Sequence, residues 1–442
     1  MRPDQLKGVI ARMTVEILNL RPAMSCRLPA AEKSARLLPA ALASMVLACA
    51  GAPPAPAPAP APRTDLEHAR RLLAEAILFD GHNDLAWAIR IDKKAPGDVA
   101  AYDLRKRTEG QTDLPRLREG GLSAQFWSVY IPGELPSGFA KTQLEQIDLM
   151  RRVIARYPEA LQLASTASDI RAARKAGRIG SMLGIEGGHA IESSLGALRA
   201  YYDLGVRYMT LTHNTNTDWA DSAADLPPRH HGLTAFGEQV VLEMNRLGML
   251  VDLSHTSAET MEDALRVSRA PVIFSHSSAR GVCDVPRNVP DDILKKLPAN
   301  GGVVMTSFVS GFVDPAVAKV MQPMIEEFNR RARGLKTDEE RDKLFEELKA
   351  RVVVPPTSIA RVADHIEYVR RLAGVEHIGL GGDFDGNTEW PDGLSDVSMY
   401  PNLFAELIRR GWSDGDLKLL AGENVLRVLE QAERVSAEMK RR

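Results

Sequence analysis

Five side chains of metal-ligating type stand where apolar runs of this chain turn abruptly polar. They are His82 and Asp84 in FDGHND, Glu186 in GIEGGH, His255 in LVDLSH and His276 in VIFSHSS. An extended backbone repeats every two residues, so His82 and Asp84 fall on the same side of a strand and suit two ligands of one ion. A buried carboxylate at the place of Glu186 needs partners, because leaving it ionised and alone is costly. Bridging two cations would engage both of its oxygens. Three imidazoles and two carboxylates suit a pair of Zn²⁺ ions. Such a pair, bridged by Glu186 and a hydroxide, outweighs the negative charge of its ligands. It could generate hydroxide near neutral pH and polarise a carbonyl at once, so the chemistry predicted is metal-assisted hydrolysis.

Three further residues offer handles for a substrate: His213 at the end of TLTH, Arg287 in PRNVPDD and Asp383 in GGDFDG. Singly each has an ordinary explanation, respectively a buried hydrogen bond, a loop salt bridge and a turn or cap. Together they supply a donor, a cation and an anion, a set that matches a zwitterion with an amide between its charges. Arginine can grip a carboxylate at two points. Asp383 can hold an ammonium or carry a proton to a leaving amine, and His213 can stabilise a tetrahedral oxyanion. The adjacent His230 and His231 read as a surface pair in a loop. Residues 131–140 and 221–231 read as loops rimming the pocket.

These side chains need a frame that brings strand ends together. Eight segments read as buried strands: residues 76–82, 122–130, 179–188, 206–214, 248–255, 270–278, 301–309 and 376–386. Helical patterns lie between most of them, as at 235–248 and 257–270, the latter with Ser257 as N-cap. Strands alternating with helices imply a parallel sheet, and eight such units close a (β/α)₈ barrel whose chemistry sits at the C-terminal ends of the strands. Residues 315–352 read as a charged helical insertion between the last two strands, with charges at helical spacing. Helices at 357–374, 401–411 and 414–434, the last capped by Ser413, complete the reading.

The chain has 442 residues, is 44% hydrophobic and carries a formal net charge of -2, which suits an enzyme and shows no basic stripe for nucleic acid. Residues 1–48 read as an export signal: Arg27, Lys33 and Arg36 precede the apolar run LLPAALASMVLA, too short to span a bilayer comfortably. Cys49 follows Ala48 as in a bacterial lipoprotein signal, so the expectation is a lipid anchor through Cys49, or otherwise secretion, at the periplasmic side or cell envelope. Residues 49–63 are Pro/Ala-rich, a polyproline spacer, and residues 64–442 form the catalytic domain. Beyond the signal only Cys283 remains to accompany Cys49, so no internal disulfide framework is expected.

The segments DGHNDLAW, GIEGGHAIESSLGALRAYYDLGVRYMTLTH, NTDWADS, GMLVDLSHTS, PVIFSHSSARGVCDVPRNVPDD, GGDFDG and ENVLRVLE, in this order, resemble the membrane (renal-type) dipeptidase family of zinc metallopeptidases. The resemblance implies a (β/α)₈ barrel with two zinc ions, one on His82, Asp84 and Glu186, the other on Glu186, His255 and His276. It implies that His213, Arg287 and Asp383 contact a dipeptide substrate, that a D-residue is accepted at the C-terminal position, and that some members open β-lactams. The chain departs from animal members in lacking a partner for Cys283 and an apolar C-terminal segment. A disulfide-linked dimer is therefore not implied, and noncovalent homodimerisation stays open. Two alternatives remain: a related amidohydrolase cleaving N-acyl-D-amino acids or lactams, and a metal-bearing binding protein without turnover.

Overall fold

In the computed structural model, residues 63–441 are described apart from 136, 333, 334, 336 and 337, and the expected signal and spacer lie outside the described residues. Nine strands are formed: β1 Leu78–Asn83, β2 Leu122–Ser128, β3 Leu161–Leu163, β4 Ile179–Glu186, β5 Val206–Thr210, β6 Leu250–Asp252, β7 Ile273–Phe274, β8 Val303–Thr306 and β9 Ile378–Leu380. Every pairing is parallel. The sheet runs β2-β1-β9-β8-β7-β6-β5-β4, and β2 pairs with β4 to close it. The result is a closed eight-stranded barrel wrapped by helices, the expected (β/α)₈ architecture.

The ninth strand, β3, was not foreseen. It pairs with Ile179–Ser181, ahead of the point where β5 joins at Leu183, so it lies beside the barrel's opening residues on the edge β5 takes later. Three residues, one of them exposed, carry too little apolar pattern to read as a strand. The expected strands at 248–255 and 270–278 shrink to three and two paired residues. Their polar ends leave the ladder to build the site instead.

The barrel is packed from within. Phe79, Phe126, Met182, Tyr208, Ile273 and Met305 form one buried cluster with Val425 and Leu429 of the last helix. Phe79 stacks on Phe126 at 5.1 Å, and Phe126 meets Tyr208 edge-on at 4.9 Å. Gly184 on β4 is required here, since a Cβ on it would come within 2.1 Å of the Tyr208 ring. Outside, helices are started by the predicted caps. The Ser257 side chain accepts from the Thr260 N–H, and that of Ser413 from the Asp416 N–H. The expected helix at 414–434 is broken: Asp414–Lys418 passes through a wide turn, Leu419–Glu423, before Asn424–Arg441. The charged insertion is a helical pair, Pro315–Ala332 and Asp338–Lys349, with its own small core in which Phe328 meets Phe345 at 5.4 Å. Among the described residues no helix is long and apolar enough to cross a membrane.

One buried histidine ties two loops of the site's face together. His365, on the helix Ile359–Ala373, accepts the Ala279 N–H at Nδ1 (3.0 Å), and its Nε2 donates to the Val313 carbonyl (3.1 Å). The bond accepted at Nδ1 requires the neutral ring, and burial holds its pKa down to about 4 against an ordinary 6.5, with the Val313 carbonyl pulling the other way. The unfolded chain therefore binds more protons between those values. The stability this ring contributes is complete above pH 6.5 and drains away as pH falls towards 4. Urea unfolding in this window should show wild type losing up to about 1.4 kcal/mol more per pH unit than His365→Gln. Equal slopes would mean that His365 does not titrate as described.

Candidate metal centre

The five expected ligands come from four strand ends and meet at the mouth of the barrel. All five are buried. His82 lies within β1, with Asp84 just beyond it, and Glu186 ends β4. His255 and His276 follow β6 and β7 by three and two residues. Glu186 is at the centre. Its Oε2 lies 3.4 Å from His82 Nε2, and its Oε1 lies 3.0 Å from His255 Nε2 and 3.4 Å from His276 Nε2. Asp84 Oδ2 stands 3.3 Å from His82 Nε2, and the Nε2 atoms of His255 and His276 are 3.0 Å apart. Among the described residues, donor atoms within 4.8 Å of one another form three groups: His82, Glu186 and His276; Glu186, His213 and His255; and His82, Asp84 and Asp383. His276 thus sits between the two expected ligand sets, its ring 3.8 Å from that of His82.

This arrangement fits metal ions better than hydrogen bonds. His82 Nε2 and Asp84 Oδ1 are buried with no hydrogen-bond partner. Two donors on one tetrahedral zinc at ~2.05 Å stand about 3.3 Å apart, close to the separations found here. Each imidazole turns Nε2 inward because its Nδ1 is held from behind. Tyr208 OH lies 2.8 Å from His82 Nδ1, Ser275 Oγ 2.8 Å from His276 Nδ1, and Asn214 Oδ1 3.2 Å from His255 Nδ1. Ser275 in turn donates to Asp252 at 2.6 Å. Such outer partners fix the orientation of metal-bound imidazoles. Burial, reinforced by neighbouring cationic groups, holds His255 and His276 well below the usual imidazole range. Burial opposes the charge of Glu186, but His82 and His213 prevail and keep its carboxyl well below the usual range. Neutral His255 and His276 and an ionised Glu186 are in the forms that bind metal, whereas His82, although burial opposes its charge, is held well above the usual imidazole range by Tyr208, Glu186 and Asp84 and must release its proton to a metal.

The three expected substrate residues ring the same centre. His213 Nε2 is 3.7 Å from Glu186 Oε1, its ring 4.4 Å from His255 and 4.8 Å from Tyr130. Burial lowers its pKa to about 4. Asp383, at φ 63°, lies behind β9, and its N–H donates to the His82 carbonyl at 3.2 Å. Burial pushes its carboxyl up to about 8; His82 and Arg287 pull against this, while Asp84 and Glu186 add to it. Arg287 is buried over the Phe312 ring at 5.1 Å and reaches the His276 carbonyl at 3.3 Å, while its Nε has no partner. His230 takes another part: its Nε2 is 3.0 Å from the Thr217 carbonyl, away from this centre, and His231 is exposed.

The model of the membrane dipeptidase family (peptidase family M19) matches residues 66–442. The chain belongs to this family. Dipeptidase 3 of Rattus norvegicus is 42% identical over 376 residues, 84% of this chain and 68% of that protein. The fold is shared with the probable dipeptidase PvdM from Pseudomonas aeruginosa, at TM-score 0.72 and 24% identity over 85% of this chain and all of that one. It is shared too with a metallo peptidase from Rhodobacter sphaeroides liganded with a phosphinate mimic of L-Ala-D-Ala, at TM-score 0.66 and 24% identity over 81% of this chain and 99% of that one. The protein is accordingly a metallodipeptidase-family hydrolase.

The residues supporting the ligands of this dipeptidase were not foreseen. Tyr208 lies in the middle of β5, where an aromatic reads as core. Asp80, two residues before His82, is wholly buried and accepts from Gln125 (2.7 Å), the Gly382 N–H (2.6 Å), Tyr400 (2.8 Å) and the His82 N–H (2.9 Å). It ties β1, β2 and β9 together under the site. A charged residue inside an apolar run was the available signal. Tyr208→Phe should weaken metal binding about 10–100-fold while leaving the fold intact, as read by chelator competition. Unchanged affinity would remove Tyr208 from the centre's support.

Proposed function

We propose that this chain is a dinuclear zinc dipeptidase. In this reading one zinc binds to His82, Asp84 and Glu186, and the other to Glu186, His255 and His276. The observation that carries it is the division of the two Glu186 oxygens, Oε2 towards His82 and Oε1 towards His255 and His276. When bound, the zinc ions lower the pKa of water to yield a hydroxide nucleophile and polarise the scissile carbonyl.

The chain's own residues do the rest. Arg287, buried and holding an unpartnered Nε, grips the substrate's terminal carboxylate. Burial lowers its pKa to about 10, so it remains charged at neutral pH. His213, neutral near pH 7, donates a hydrogen bond to the oxyanion as water oxygen bonds to the carbonyl carbon. Asp383, whose carboxyl burial pushes up to about 8, holds a proton near pH 7, delivers it to the amide nitrogen as the C–N bond breaks, and regains one from the next water. Little of the C-terminal side chain's identity enters these contacts, which supports acceptance of a D-residue there and, by the same geometry, of some strained lactams. The R. sphaeroides relative's L-Ala-D-Ala mimic supports the same reading. The proposed location is the cell envelope, by a lipid on Cys49 or by secretion; this rests on the N-terminal sequence alone.

The direct test is a panel of Gly-L-Ala, Gly-D-Ala, N-acetyl-D-Ala and a carbapenem, offered to metal-stripped and zinc-reconstituted enzyme. Zinc-dependent cleavage of both dipeptides is expected. Cleavage of N-acetyl-D-Ala alone would make the protein a deacylase and overturn the reading. Asp383→Asn should keep its metal and lose about 10²–10⁴ in kcat. Arg287→Ala should lose about 10–100-fold in kcat/KM, chiefly through KM, for substrates with a free carboxylate.

A further inference from the structure

The opposite end of the barrel holds a cavity of about 430 Å³ between the N-terminal ends of β2 and β4 and the helices that precede them. Four arginines line it, Arg70, Arg118, Arg174 and Arg178, against one acid, Glu119. Arg70 and Arg118 are exposed, and Arg174 and Arg178 are half-buried. None of the four forms an ion pair among the described residues. Arg174 donates to the Ala74 carbonyl. Glu159, whose carboxyl feels Arg118, is itself held by Arg105 at 2.9 Å. Basic residues are favoured at helix C-termini, which accounts for Arg118 and Arg174 in the last turns of Leu114–Glu119 and Ala167–Lys175. It does not account for the convergence of Arg70 and Arg178 on the same space.

A second observation comes from the cavity wall. Leu73, Leu114 and Ile179 give the cavity an apolar wall beside the charge.

We infer that this cavity binds a phosphate ester bearing an apolar body. Phosphate oxygens match several guanidinium forks at once, and the apolar wall receives the ester group. From Ser123, which lines the cavity, to Ser128, which touches Glu186, is five residues of strand, roughly 16 Å, so the site is separate from the metal centre. The inference is independent of the dipeptidase reading. The same chemistry is presented by a soluble phosphate ester and by an anionic phospholipid headgroup.

The test uses the zinc-loaded full chain at physiological salt. Phenyl phosphate is titrated calorimetrically, and co-sedimentation is measured with phosphatidylglycerol and phosphatidylcholine vesicles. The variants are Arg118→Gln with Arg178→Gln, and separately Arg70→Gln with Arg174→Gln, each checked for unchanged dipeptide kcat/KM. Binding of phenyl phosphate that weakens about tenfold or more in both arginine variants assigns a soluble ligand. Binding to phosphatidylglycerol vesicles alone, with the same losses, assigns a headgroup. No binding of either probe, or binding that both variants leave unchanged, overturns the inference.

Discussion

The structure turns on one buried carboxylate. Glu186 ends β4 in the barrel mouth with imidazole nitrogens at 3.0, 3.4 and 3.4 Å and a fourth at 3.7 Å. An ionised group taken out of water in this way is tolerable only when both oxygens meet positive charge or donors. Ser128 Oγ donates to Oε2 at 3.3 Å, but one hydroxyl is far too little for a buried anion. The demand is for cations, and the neighbouring strands are arranged to bring them.

From that demand the rest of the frame follows. Three imidazoles must present Nε2 inward, so their Nδ1 atoms are held by Tyr208, Ser275 and Asn214. Tyr208 can reach His82 only because Gly184 leaves room for its ring. Asp80 joins β1 to the loop after β9, and that loop carries Asp383. The barrel supplies rigidity for all of this: its interior is filled by aromatic and aliphatic side chains, so the ends of the strands cannot shift independently.

Much of this was legible in the sequence because chemistry and periodicity agree there. A strand that runs apolar and then breaks into His, Asp or Glu marks both its own C-terminal end and a candidate ligand, so His82, Glu186, His255 and His276 pointed to strand ends that the fold brings into one cluster. The supporting shell was hidden for the opposite reason. Tyr208 and Asp252 sit inside apolar strands and take meaning only from a residue on the next strand, a relation that spacing along one chain does not record. β3 was missed because three residues hold no period. The wide turn at Leu419–Glu423 was missed because its sequence continues a helical pattern that only packing interrupts, around Gly422 against the Ile77 carbonyl.

The bridging role of Glu186 is the claim on which the account rests, and metal content measured together with activity reaches it most directly. Zinc per chain, by plasma mass spectrometry, and Gly-D-Ala hydrolysis should be determined for wild type and Glu186→Gln. Glutamine keeps the shape and removes the charge. The account predicts two zinc ions per chain in wild type, and a variant that loses bound zinc and hydrolysis together. A Glu186→Gln protein that retains two zinc ions and full activity would contradict it.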